Sequence, residues 1–174
     1  MSDPPPGRTT DTAESRKRWG WSGHGVGSKV EKDGVGLFLD DLAYAFADVS
    51  VSALPVILAV YMLGDIRVFG ARTATLVAWL TMVVVAAVIR GGWVTPLGSD
   101  VPGWVTLAPS LLVFRLLYFN ATLGLAGYGG AAISGELALP LESVLFAFVV
   151  GVLSVALFPR LAEELSRRLA DSER

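Results

Sequence analysis

The sequence predicts an all-α integral membrane protein: a four-helix transmembrane bundle with a disordered N-terminal tail and a short amphipathic C-terminal helix. Three observations predict this class. Hydrophobic residues make up 53 % of the 174 residues and charged residues only 17 %, which is typical of membrane proteins. Four apolar stretches each have the length, roughly 20 residues, that a helix needs to cross a bilayer. Segments rich in glycine or proline separate them.

Residues 1–35 are predicted to be a disordered basic cytoplasmic tail. They are rich in Pro, Gly, Ser, Thr and charged residues, so they lack the apolar surface that a core requires. A short basic run followed by two indoles is typical of contact with an anionic membrane surface. The residues expected at that surface are Arg16, Lys17, Arg18, Trp19 and Trp21. The simpler alternative is a solvated tail that only sets the orientation of the protein.

The transmembrane domain is predicted to cover residues 36–159. Its four spans are expected at about residues 37–63, 69–89, 104–125 and 139–158. With both termini inside, eleven Lys and Arg residues are cytoplasmic and two are outside. The positive-inside rule therefore predicts a multi-pass protein of the cell membrane with both termini in the cytoplasm.

The first two spans each have a side suited to contact with another helix. Polar side chains recur along one side of the first span, and that side is expected to face protein. In the second span, Gly70, Ala74 and Ala78 repeat every four residues. Small residues at this spacing allow another helix to approach closely.

The third span is predicted to place Arg115 near its middle, with other polar residues on the same or a nearby face. The glycine-rich residues 127–135 are expected to connect it to the fourth span, where Ala147 and Gly151 form another small pair. Pro159 is expected to interrupt the fourth helix. Residues 160–174 are then a cytoplasmic amphipathic helix and tail, which lies on the membrane surface or continues the fourth helix into the cytosol.

Charges inside the spans are where a function would be located, because each needs a partner, a water-filled cavity or a route to the interface. If Trp104 marks an interface, Arg115 lies about 16 Å deep, and Asp48 lies equally far along the first span. We therefore expect an ion pair between Asp48 and Arg115. It would fix helix register, or, alternatively, the arginine would control protonation or ion binding at the carboxylate. The polar residues that could line a path are Asp41, Ser52, Tyr118, Asn120 and Thr122.

The sequence contains few groups for covalent or metal chemistry. It has no cysteine, and its one histidine, His24, lies in the tail. Cysteine nucleophiles, iron–sulfur clusters and the common zinc and haem sites are therefore not expected, and we predict no metal, cofactor, nucleic-acid partner or enzymatic activity. The function expected is a structural, accessory or regulatory membrane component that contacts the lipid bilayer and forms a homodimer or binds a different membrane protein. The alternative is a small homodimeric transporter or channel that uses the Asp48–Arg115 pair.

Overall fold

A computed structural model describes residues 34–63, 70–98, 109–136, 138 and 140–172. These residues form four helices, α1 (Gly34–Leu63), α2 (Ala71–Arg90), α3 (Pro109–Glu136) and α4 (Pro140–Ser172). Each contains a stretch long and apolar enough to cross a membrane. The all-helical fold with four such helices is therefore confirmed. The basic and aromatic residues expected at a membrane surface, in the predicted tail, lie outside the described residues, as does Trp104.

Two helices form the centre of the bundle. Asp41 bonds to Arg90 and Ser50 bonds to Trp79, so α1 and α2 are antiparallel. Both α1 and α4 pack against α2 and against α3, whereas the described residues of α1 and α4 make no comparable contact with each other. As a result α1 and α4 lie on opposite sides of the α2–α3 pair.

Small side chains line the inside of the bundle, and large apolar side chains cover its outside. Buried alanines such as Ala53, Ala74 and Ala126 line the helix contacts. Large aliphatic side chains, among them Met62 and Leu141, point outward and are mostly exposed. A water-soluble domain buries such residues instead, so this outer surface is one that lipid solvates better than water.

The end of α2 is fixed by a turn that requires glycine. Gly92 has a φ of +76°, a backbone conformation that glycine adopts without steric cost. Its N–H donates to the carbonyl of Ile89, and the N–H of Trp93 donates to the carbonyl of Val88, both at 3.0 Å. These bonds satisfy carbonyls that a helix end would otherwise leave without partners, and they hold Arg90 at the last turn.

The predicted glycine-rich connection at residues 127–135 is wrong, because α3 continues through it to Glu136. The glycines serve helix packing instead. A Cβ on Gly130 would lie 2.6 Å from the Cβ of Ala74, and one on Gly127 would overlap the hydroxyl of Thr75. Glycine is therefore needed here so that α3 can approach α2 closely.

The small-residue face of α2 is also used by α4. Gly70, Ala74 and Ala78 are all buried. A Cβ on Gly151 of α4 would lie 3.0 Å from the carbonyl oxygen of Ala78. Ala147, one turn before Gly151, is fully buried as well. Glycines of α3 and α4 therefore pack on neighbouring parts of one helix.

The predicted short amphipathic C-terminal helix is not a separate element, and the expected interruption at Pro159 is wrong; of the two expected placements, the structure has the one that continues the fourth helix. α4 continues through Pro159 to Ser172 as a single helix, whose segment Pro140–Leu165 contains a stretch long and apolar enough to cross a membrane. Proline removes one backbone N–H and disturbs the carbonyls of the preceding turn. The N–H of Leu97, from the segment after α2, donates to the carbonyl of Ala156 at 3.0 Å. A donor from outside the helix thus bonds to a carbonyl in the turn before the proline, and the helix is not interrupted.

Candidate functional site

An ion pair links α1 to α3 near the centre of the bundle. Arg115 Nη1 donates to Asp48 Oδ1 at 2.8 Å, and the two side chains are only 5 % and 13 % exposed. The Arg115 guanidinium carbon also lies 5.6 Å from the centre of the Phe158 ring on α4. The structure therefore brings together the two charged residues that the sequence analysis pairs.

The position of Arg115 along its helix differs from the prediction. It lies six residues after Pro109, about 9 Å along the helix axis, whereas the middle of the described helix is near Thr122. α1 begins at Gly34, before the predicted start of its span. α1 and α3 run in the same direction, and the two charged side chains meet although their positions along the helices differ from the prediction.

A second ion pair lies two helical turns from the first along α1, and sequence reasoning missed it. Arg90 Nε lies 3.2 Å from Asp41 Oδ1, and the side chains are 12 % and 7 % exposed. The guanidinium carbon of Arg90 is 3.5 Å from the centre of the Tyr44 ring, a cation–π contact. The predicted second span ends at residue 89 and does not include Arg90. Its position at the end of a helix antiparallel to α1 was the signal that could have identified Asp41 as its partner.

The two pairs together form a cluster of four charges that sum to zero. Asp41 and Asp48 are seven residues apart on one side of α1, and each bonds to an arginine of a different helix. Arg90 also lies close enough to act electrostatically on Asp48. The charges balance, but not every polar atom of the cluster is hydrogen-bonded. Asp48 Oδ2 and Arg90 Nη1 are buried and have no hydrogen-bond partner.

The other polar residues of the predicted lining make contacts between helices. The hydroxyl of Tyr118 donates to the carbonyl of Ser154 at 2.9 Å, and Thr122 Oγ1 lies 3.0 Å from Ser154 Oγ. The side chain of Asn120 bonds to α1 instead, where it accepts from the N–H of Val56 and donates to the carbonyl of Ser52, both at 2.8 Å. These residues therefore contact two different helices and do not converge with Asp41 on one path.

Two grooves in the described part of the chain are not lined by any of the four paired charged residues. One is lined by Gly34, Val35, Phe38, Val88 and Trp93, and the other by Leu80, Thr81, Val84, Val85 and Phe148. Their surfaces are almost entirely apolar. Among the described residues, no three Asp, Glu or His side chains cluster in a way that would hold a metal ion.

Comparison with known proteins gives one family match. Residues 32–165 match the family model described as "Domain of unknown function (DUF8215)". Searches of curated proteins and of solved structures found no significant match.

Proposed function

The chain belongs to the DUF8215 family, and we propose that it is an integral membrane protein with a non-catalytic structural, accessory or regulatory role. The observation that carries the proposal is the pairing of its buried acids. Asp41 and Asp48 each bond to an arginine of another helix. A transporter usually keeps such an acid accessible to solvent and free to titrate, whereas an acid paired with arginine is better suited to holding helices in register.

Insertion into the cell membrane is the first part of this proposal. The four apolar helices and the large aliphatic residues on their outer surface support it. The distribution of Lys and Arg along the chain supports an orientation with both termini in the cytoplasm. In that orientation the segment after α2 is cytoplasmic and the connection between α3 and α4 is outside.

The absence of cysteine from the sequence allows a direct test of this orientation. Thr95 and Ala138 are exposed residues of the two connections. We expect a membrane-impermeant maleimide to label T95C only after permeabilisation and A138C in intact cells. The reverse pattern would contradict the orientation, and recovery of the protein without membranes would contradict insertion.

The accessory role predicts a partner that co-purifies in fixed proportion. Native mass spectrometry of the protein extracted from its own membranes should therefore show a stoichiometric second chain. A homodimer with no foreign chain would contradict the hetero-oligomeric form of the proposal and would favour the second candidate function.

That second candidate is a small homodimeric transporter or channel that uses the Asp48–Arg115 pair. The observation in its favour is Asp48 Oδ2, a buried carboxylate oxygen with no hydrogen-bond partner. Ion flux into liposomes that contain the purified protein discriminates between the two functions. Flux that is present in the wild type and lost in D48N, while circular dichroism shows that D48N remains folded, would support the transporter. Equal background flux in wild type, D48N and empty liposomes would support the non-transporting component.

A further inference from the structure

The side chain of Asn120 bonds to two backbone groups of α1 that normally bond to each other. In an uninterrupted α-helix the N–H of Val56 donates to the carbonyl of Ser52, four residues earlier. Here the N–H of Val56 donates to Asn120 Oδ1, and Asn120 Nδ2 donates to the carbonyl of Ser52, both at 2.8 Å. The amide of Asn120 therefore bridges one rung of the α1 hydrogen-bond ladder.

Pro55 lies between Ser52 and Val56, the two residues whose backbone groups Asn120 bridges. Pro55 has no N–H to give to the carbonyl of Val51, and its ring crowds that carbonyl, which opens the helix locally. Helix kinks occur at prolines and where a side chain inserts into the backbone ladder, and α1 has both at one place. The absence of an N–H at Pro55 weakens α1 at the place where the side chain of Asn120 bonds to its backbone.

The part of α1 after this point is lightly held. α1 is the least buried of the four apolar helices, and after Pro55 only Val60 is fully buried. Gly124 of α3 faces Val56, and a Cβ on Gly124 would lie 3.7 Å from Val56 Cγ2, an ordinary van der Waals distance. The segment from Val56 to Leu63 contacts the core through Val56, Ile57 and Val60, and its last three residues are exposed.

We propose that Asn120 is a latch on a proline hinge in α1, and that α1 has a second arrangement in which the latch is released. In that arrangement the N–H of Val56 bonds to the carbonyl of Ser52, so both backbone groups keep a partner. Asn120 keeps its other bond, in which Nδ2 donates to the carbonyl of Leu116 on its own helix at 2.7 Å. The two arrangements satisfy the same backbone groups in different ways, which is the property of a two-state element. The hinge is independent of which of the two functions above is correct.

Distances between spin labels on a chain without native cysteine test the proposal. Met62 at the end of α1 and Leu141 at the start of α4 are both strongly exposed and serve as the reporting pair. Met62 lies about 10 Å along the axis from Pro55, so a change of about 20° in the kink moves it by about 4 Å. We expect N120L, which keeps the volume and removes the amide, to shift the M62C–L141C distance by about that amount. P55A, which restores the N–H and lets α1 close its own ladder, should shift it in the same direction.

A control pair reports on the other end of the bundle. Leu39 lies on α1 before Pro55 and Leu157 lies on α4, and both are exposed. Their distance should be the same in all three proteins. Unchanged M62C–L141C distances in P55A would overturn the proposal, even if N120L failed to fold. A shift of both pairs would also overturn it, because it would show general loosening of the bundle and no hinge.

Discussion

Replacing Arg115 by glutamine is expected to lower the free energy of unfolding by about 3–5 kcal/mol, because a buried carboxylate then loses the cation that neutralises it. The structure supports the upper part of this range, since the side chains of Arg115 and Asp48 are only 5 % and 13 % exposed and their contact is 2.8 Å long. Oδ2 of Asp48 already lacks a hydrogen-bond partner, so the remaining carboxylate would be poorly satisfied. Asp48→Asn should have a similar effect, because it removes the anion that faces the guanidinium.

The double variant D48N/R115Q separates the pair from its surroundings. It removes both charges, so its loss of stability should be smaller than the sum of the two single losses by up to about 3 kcal/mol. Unfolding is measured by far-UV circular dichroism during titration of the detergent-solubilised protein with dodecyl sulfate. Arg168→Gln is the matched control, because it breaks an exposed pair with Glu164 and should leave the transition midpoint unchanged. A loss of stability in D48N/R115Q equal to the sum of the two single losses would refute the reasoning.

Three further outcomes are expected in the same unfolding assay. Gly127→Ala should destabilise the protein by about 1–3 kcal/mol through overpacking. Gly124→Ala should be neutral or mildly stabilising, because its Cβ would lie at an ordinary contact distance of 3.7 Å. Equal effects of the two variants would contradict the close-packing argument. Ser154→Ala and Thr122→Val should each cost about 0.6 kcal/mol, and the double variant no more than either, because the two hydroxyls bond to each other. Asp41→Asn should cost about 2 kcal/mol, less than Asp48→Asn, because its arginine keeps a ring contact at 3.5 Å, whereas the ring nearest Arg115 is 5.6 Å away. An equal loss would contradict this difference between the two rings.

The number of helices and their approximate positions could be predicted because they depend on local properties of the chain. Apolar length and the small-residue repeat of α2 are visible in the sequence, and the structure has four such helices. The contact between Asp48 and Arg115 could be anticipated by a simple rule: a charge within an apolar helix needs a partner. The position of Arg115 along α3 could not be predicted, because the start of each helix does not follow from hydrophobicity alone.

The errors arose where a neighbouring helix decides the role of a residue. Gly127 and Gly130 resemble turn residues in the sequence, but the alanines and threonine of α2 that they contact make them packing residues. Pro159 resembles a helix end, but the N–H of Leu97 satisfies a carbonyl beside it. Neither partner is adjacent in sequence, so no local pattern carries this information.

The bridging role of Asn120 was beyond sequence reasoning for the same reason. The sequence indicates only that an amide lies in an apolar helix and needs a hydrogen-bond partner. That it bonds to the backbone of α1 at the rung around Pro55 depends on the rotation of both helices. Arg90 differs, since its position at the end of a helix antiparallel to α1 could have indicated Asp41 as its partner.

The ion pairs have a consequence for biosynthesis. If the helices insert into the membrane as proposed, α1 leaves the ribosome before the other described helices and carries two carboxylates whose cations lie in helices not yet made. An aspartate at the centre of a lone helix opposes insertion by about 3 kcal/mol. Arg115 follows Asp48 by 67 residues, which at about 5–20 residues per second is a delay of roughly 3–13 s. During that interval α1 must be retained beside the translocon, protonated, or held by a chaperone. The order of helices in the chain thus makes release of the first helix into lipid depend on synthesis of the third.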